Sequence, residues 1–206
     1  MMDEFPEFPR SVLESLRQPL EDGVITVTRA KHSTTFPARF MLVAAMNPCP
    51  CGHLGTDKPC GCPPRTLQIY RQRLSGPLLD RIDMHVHVGR VEAKRLLSDD
   101  DAESSADVRM RVEEARDRAA TRCATYGATC NAELPSGRLL QATGLDEASG
   151  SVLSRLAKRH GLSGRSVHRV VRVARTIADL EASARIEREH VLEAATYRLF
   201  DEGRGV

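Results

Sequence analysis

Tryptophan is absent from the 206 residues, and aromatics make up only 4% of them. Gripping nucleic acid by base stacking needs aromatic faces, so that mode is not expected here. No apolar run approaches the roughly 20 residues that cross a bilayer. The start of the chain is acidic and has no signal-peptide core. Together these absences predict a cytoplasmic protein without a membrane partner. Lysine is scarce: only Lys31, Lys58, Lys94 and Lys158 occur, and arginine carries the rest of the positive charge. The net charge of +2 is too small to argue for nucleic acid by itself. Nor does the chain contain a Gly-x-x-x-x-Gly-Lys-Ser/Thr run, the segment whose backbone N–H groups cradle a polyphosphate.

What is present is ordinary for a soluble globular protein, 41% apolar and 28% charged. Val12, Leu13 and Leu16 recur at helical spacing, which predicts a short helix over 10–18 that Pro19 limits. Residues 24–28 are rich in β-branched side chains and predict a strand, followed by a polar tip over 29–34. Residues 39–46 form a nearly unbroken apolar run ending in Asn47-Pro48. Its length and lack of alternation predict a buried parallel strand. The Gly/Pro/Cys-rich stretch 49–64 excludes regular structure, and 66–74 reads as helix. Ile82, Met84, Val86 and Val88 alternate with polar residues, which predicts a half-exposed strand. The acidic run 98–105 marks a domain boundary. Beyond it every element reads as helix. A stripe of Val108, Val112, Ala115 and Ala119 comes first, then helices over 134–142 and 147–160. Gly161 stops the last of these and Ser163 caps the next, to about 180. A final helix is expected over 187–200.

Several residues carry candidate chemistry. Asp3 and Glu4 are adjacent carboxylates. Such a pair is commonly just solvated, but in phosphoryl-transfer motors the first acid holds Mg²⁺ and the second polarises the attacking water. Asn47 closes the apolar run, where a neutral amide can position water; the alternative is a simple Asn-Pro turn. Arg81 can neutralise charge on a transferring phosphoryl group, or it can pair with Asp80 or Asp83. Arg165, Arg169 and Arg172 share one helix face, either for phosphate or as a solvated basic face. Cys49, Cys51, Cys60 and Cys62 form two close pairs. In a cytosolic setting they suggest Zn²⁺ or iron–sulfur before disulfides, four sulfurs in a tetrahedron suiting Zn²⁺, or else reduced structural thiols. His53 is a possible substitute ligand, and Cys123 and Cys130 stand apart.

The order of these groups resembles the magnesium-chelatase-like AAA+ ATPases of the ComM and YifB type. The matching runs are 3–8 (Asp-Glu-Phe-Pro-Glu-Phe), 16–23 (Leu-Arg-Gln-Pro-Leu-Glu-Asp-Gly), 36–40, 44–52, 75–83 (Ser-Gly-Pro-Leu-Leu-Asp-Arg-Ile-Asp) and 174–180 (Ala-Arg-Thr-Ile-Ala-Asp-Leu). The resemblance spans nearly the whole chain. It implies that Asp3 and Glu4 are the Walker B pair and Asn47 the first sensor. Arg81 becomes the finger that reaches a neighbouring subunit's ATP, and Arg165 the second sensor. It also makes Arg29 and Lys31 the tip of a hairpin that contacts DNA phosphates. The cofactors implied are ATP and Mg²⁺, the assembly a homo-oligomeric, hexameric ring, and the activity helicase-type DNA remodelling such as branch migration in recombination or transformation.

The fold class implied is α/β: a partial AAA+ core over 1–97, with an incomplete parallel sheet and a β-hairpin insert, followed by an all-α lid domain over 98–206. The family's phosphate loop precedes the Walker B strand and is not in this chain, which departs from the pattern there. The chain is therefore expected to represent the C-terminal portion of such a motor, to be inactive alone, and to be poorly soluble or partly disordered in its first half. Two other functions fit the residues. One is a motor subunit for metal insertion into a porphyrin, using the same ATPase parts. The other is a zinc-stabilised, non-enzymatic binding module.

Overall fold

The computed structural model describes residues 1–29, 32–89, 91 and 103–198. They divide into two compact units, one within Met1–Ile82 and the other beginning at Asp83.

The first unit is organised by a small apolar core of Phe5, Leu13, Leu74 and Leu78, with Met2, Leu42 and Met46 packed against it. A 3-10 turn, Phe5–Glu7, leads to α1 (Arg10–Ser15) and α2 (Arg17–Asp22). Pro19 was expected to stop a helix, yet it sits in the first turn of α2. There its missing N–H is one of the donors that has no intrahelical acceptor anyway. Gly23 ends α2 at φ +67°, donating its N–H to the Pro19 carbonyl at 3.0 Å. Next come β1 (Val24–Arg29) and β2 (His32–Pro37), an antiparallel hairpin in register from Val24↔Pro37 to Arg29↔His32. The return strand takes in residues expected to be a polar tip. Hydroxyl pairs Thr26–Thr35 (3.2 Å) and Thr28–Ser33 (3.3 Å) bridge it to β1, as cross-strand Thr and Ser do.

The apolar run 39–46 departs from expectation. Only one isolated parallel bridge forms, Met2↔Ala44, supported by Met2 N–H to the Val43 carbonyl (2.8 Å) and Ala45 N–H to the Met2 carbonyl (2.9 Å). Leu42 and Met46 turn toward the core, whereas Phe40, Met41 (86% exposed) and Val43 face solvent. A run with no alternation needs cover on both faces, and among the described residues only one face has it. The expected incomplete parallel sheet is thus reduced to this single bridge beside the antiparallel hairpin. After the irregular segment come α3 (Pro64–Gln72), opened by Pro64 as its first residue, and α4 (Gly76–Leu79).

In the second unit, residues 83–89 are not a strand; Met84, Val86 and Val88 are exposed, and the His85 N–H bonds the Tyr197 carbonyl at 2.8 Å. The rest is helical. α5 (Ser105–Ala124) is capped by Ser104, whose hydroxyl accepts from the Asp107 N–H. The helix buries Ala115, Ala119 and Cys123, while Val108 and Val112 stay exposed. A 3-10 turn, Ser136–Arg138, and a short α6 (Leu139–Thr143) replace the longer helix expected there. α7 (Glu147–His160) is stopped by Gly161 and α8 (Gly164–Leu180) is capped by Ser163, both as the sequence pattern requires, and Asp146 caps the start of α7. α9 (Arg188–Thr196) closes the described chain. Val170, Val171, Ala174, Ile186, Val191 and Ala194 centre the core.

α8 also buries two charges. Arg175 is 1% exposed and Asp179 2%. The Asp179 carboxylate accepts from Arg122 at 2.8 and 2.6 Å, from the Asn131 amide at 2.8 Å, and pairs with Arg175 at 3.1 Å. The Arg175 guanidinium also donates to the carbonyls of Thr143, Ser183 and Ala184. No helix among the described residues is long and apolar enough to cross a membrane.

Candidate functional site

Pairing of residues 2–5 with residues 43–45 builds the site in the first unit. Besides the two bonds at Met2, the Phe5 N–H donates to the Ala45 carbonyl at 2.9 Å. Asp3 and Glu4 lie between these bonds, so they flank the segment that runs on to Asn47. Both acids are exposed. Asp3 Oδ1 accepts the Glu4 N–H at 2.9 Å. Glu4 is left-handed, at φ 49°, ψ 44°. A side chain other than glycine holds that conformation only where its surroundings determine it. Here the Phe5 N–H to Ala45 bond on one side and the Glu7 N–H to Glu4 carbonyl bond (2.7 Å) on the other fix it.

Asn47 is exposed, and its carbonyl accepts the Tyr70 hydroxyl of α3 at 2.9 Å. Burial, and then the Glu7 charge, push the Tyr70 phenol above its ordinary value. It therefore remains a donor at neutral pH. Arg73, also near the end of α3, donates to the Pro6 carbonyl at 3.3 Å and pairs with Glu7. α3 thus ties both sides of the Asp3–Glu4/Asn47 juxtaposition.

Arg81 follows α4 in the same unit. Its Nε lies 3.1 Å from the Glu21 carboxylate of α2, and its Nη1 donates to the Pro77 carbonyl at 2.8 Å. The ion-pair partner is Glu21 rather than Asp80 or Asp83. Arg29 is exposed at the end of β1; Lys31 lies outside the described residues. In the second unit, Arg165 is exposed in the first turn of α8. Of its two companions, Arg169 pairs with Asp83 and Arg172 donates to the Leu134 carbonyl at 2.8 Å. They do not form an unoccupied basic face.

The four clustered cysteines converge. Their sulfurs all lie within 4.8 Å of one another, and Cys49 is fully buried while Cys51 is exposed. A hydrogen bond from the His53 backbone, and then one from Cys49, pull the Cys51 thiol down to about 6. The hydrogen bond to Cys51, and then burial, push Cys62 up to about 12. Cys123 and Cys130 are outside the cluster.

Two participants in the first unit were missed in the sequence, Tyr70 and Glu21, as was the buried Arg175–Asp179 pair in the second unit. Nothing local marks Tyr70 or Glu21, whose partners lie far along the chain. For Arg175 and Asp179 there was a signal, since opposite charges at i, i+4 fall among the apolar positions of α8.

Two family models match. "Magnesium chelatase, subunit ChlI" covers residues 1–96, and "Magnesium chelatase, subunit ChlI C-terminal" covers residues 102–198. Among curated relatives, the competence protein ComM of Haemophilus influenzae is 41% identical over 199 residues, 96% of this chain and 38% of that protein. The uncharacterized protein YifB of Escherichia coli is 42% identical over 205 residues, 97% of this chain and 39% of that one. An uncharacterized protein of Mycobacterium tuberculosis is 41% identical over 198 residues, 96% and 39%. The chain spans under two fifths of the length of these relatives.

Proposed function

The chain belongs to the magnesium-chelatase-like family, of the ComM and YifB type, and from that premise we propose that it forms part of an ATP-hydrolysing motor that remodels DNA. Residues 1–97 are the Walker B to arginine-finger part of the AAA+ core, and 98–206 the helical lid. The observation that carries this reading is the hydrogen-bonded pairing of residues 2–5 with 43–45, which brings two exposed carboxylates beside the segment ending in an exposed amide. Asp3 is a hard oxygen donor open to solvent, the kind that would hold Mg²⁺ with its retained waters. Mg²⁺, when bound with ATP, neutralises charge on the phosphate oxygens.

The chain's own residues divide the remaining work. Asp3 would hold the Mg²⁺, through water. The Glu4 carboxylate accepts a hydrogen bond, and then the proton, from the attacking water and so makes it a better nucleophile. The Asn47 amide orients that water without adding charge that would repel the phosphate. Arg81 faces a neighbouring subunit in a homo-oligomeric, hexameric ring and offsets charge developing on the transferred group. Arg165 contributes a further cation from the lid. Arg29, at the end of β1, and Lys31 meet DNA phosphates without reading sequence. The name of the Haemophilus relative, a competence protein, points the same way.

Glu4→Gln in the full-length protein tests this. ATP binding should persist while Mg²⁺-dependent hydrolysis falls by about two to four decades. Turnover equal to the unmodified protein would sink the assignment. A second reading, a motor for metal insertion into a porphyrin, draws support from the family description itself. Stimulation of ATP hydrolysis by porphyrin and not by branched DNA would favour it.

A further inference from the structure

We propose that Cys49, Cys51, Cys60 and Cys62 bind a single Zn²⁺ in a tetrahedral four-thiolate site that cross-braces the Asn47 end of its segment to the start of α3. Distances carry the inference. Zinc–thiolate bonds of about 2.3 Å in a tetrahedron place neighbouring sulfurs about 3.8 Å apart. The separations in the structure are 3.4 Å for Cys49–Cys51, 3.6 Å for Cys51–Cys60 and 3.7 Å for Cys49–Cys60. A disulfide needs about 2.05 Å, and all of these cysteines are free. The set is also mutually compact, every sulfur within 4.8 Å of every other. One ion at the centre reaches all of them, whereas an iron–sulfur cluster spreads its thiolates over separate irons.

Packing offers no rival explanation for the convergence. Cys51 is exposed and Cys60 and Cys62 are half-buried, so burial of small apolar side chains does not draw them together. The segment that carries them has no helix or strand between Asn47 and Pro64. Its internal bonds are few: Gly52 N–H to the Cys49 carbonyl, Thr56 N–H to the His53 carbonyl, and the Thr56 hydroxyl contacts. The Leu54 N–H points at the Cys49 sulfur at 3.3 Å, a donor suited to a thiolate that ligates a metal. Soft sulfur donors in this geometry select zinc over the hard cations Mg²⁺ and Ca²⁺. His53 is not part of the convergent set.

The site's place in the chain gives its consequence. Cys49 follows Asn47 by two residues, and Cys62 precedes Pro64, the first residue of α3, by two. Tyr70 of α3 already bonds the Asn47 carbonyl. An ion at the cysteines closes the irregular loop at its base and adds a second tie between the same two elements. This holds whether or not Asn47 senses phosphate.

The test is elemental analysis of the full chain, purified without a metal-binding tag. One zinc per chain is expected, together with a tetrahedral thiolate–cobalt absorption spectrum after exchange for Co²⁺. Cys60→Ser and Cys62→Ser should each lower zinc content at least about tenfold, while Cys130→Ser keeps it. If the variants do not fold, titration of the unmodified chain with a mercurial thiol reagent still decides the matter, because zinc release should track modification of the clustered thiols. Absence of zinc, iron in its place, full retention in Cys60→Ser and Cys62→Ser, or zinc release uncoupled from thiol modification would each overturn the proposal.

Discussion

Replacing Asp179 by alanine is expected to cost the helical unit about 3 kcal/mol. The carboxylate is 2% exposed and takes three charge-assisted or amide hydrogen bonds of 2.6 to 2.8 Å from Arg122 and Asn131, plus the 3.1 Å contact from Arg175. Removing one partner of a buried ion pair costs about 3–5 kcal/mol, because the surviving charge stays out of water. Arg175 remains 1% exposed but keeps three carbonyl acceptors. Arg122, by contrast, is partly solvated. Both facts place the loss near the lower end of that range. The two charges are coupled, so the double change Arg175→Met with Asp179→Leu should cost less than the sum of the single changes. Denaturant melts of the full chain followed by circular dichroism give the free energies. A loss below about 1 kcal/mol for Asp179→Ala, or strict additivity in the double variant, would refute the claim that this network holds α5 and the 3-10 turn Asn131–Glu133 to α8.

Other changes test local claims. Gly23→Ala should destabilise the first unit by about 1–2 kcal/mol through its positive φ, because the new Cβ would meet mainly the flexible Arg39 side chain, at 2.9 Å from Cγ; a neutral effect on the thermal midpoint would contradict the left-handed cap. Asp146 caps α7, and its bond from the Ser149 N–H holds the carboxyl below the usual range. A depressed folded pKa contributes stability that is complete above the unfolded value, about 3.9, and fades as pH falls through the lower folded value. Asp146→Asn should therefore flatten that acid-side decline in thermal midpoint, and an unchanged pH profile would count against the cap. Lys31→Ala in the full-length protein should weaken DNA binding for all sequences and reduce the salt slope by about one; altered sequence preference with an unchanged slope argues against phosphate contact.

The helical half was largely legible. Ser163 and Gly161 mark ends by local chemistry, and the spacing of Val170, Val171, Ala174 and Ile177 fixes the buried face of α8 without reference to any other element. In the first half the same logic misread residues 39–46. Apolarity there predicts burial, but burial depends on what covers the strand, and Met41 and Val43 have no cover among the described residues. The cysteines were legible as a cluster, since two pairs close in sequence cannot diverge far. Their convergence within 4.8 Å depends on how the loop between them folds back. The order Asp3-Glu4, Asn47, Arg81 gave the site its candidates, yet the contacts among them are non-local: Met2 with Val43, Tyr70 with Asn47, Glu21 with Arg81.

The last of those contacts bears on how an arginine can be both paired and catalytic. The Arg81 and Glu21 side chains are 17% and 27% exposed. The contacting Arg81 Nε is buried and lacks hydrogen-bond geometry toward Glu21, so the contact is a charge attraction without a well-formed hydrogen bond. A phosphoryl group carries more charge than one carboxylate and can accept the guanidinium in a two-bond fork. Exchange of Glu21 for phosphate therefore costs little and gains more, provided the Pro77 carbonyl continues to hold Nη1 and keeps the side chain extended. On the proposed reading, the ion pair is the resting position of the finger. What distinguishes the two cases is energetic: a finger lost from one subunit lowers turnover at its neighbour's nucleotide, while a purely structural pair lost with Glu21→Ala and with Arg81→Ala lowers the stability of its own subunit by the same small amount.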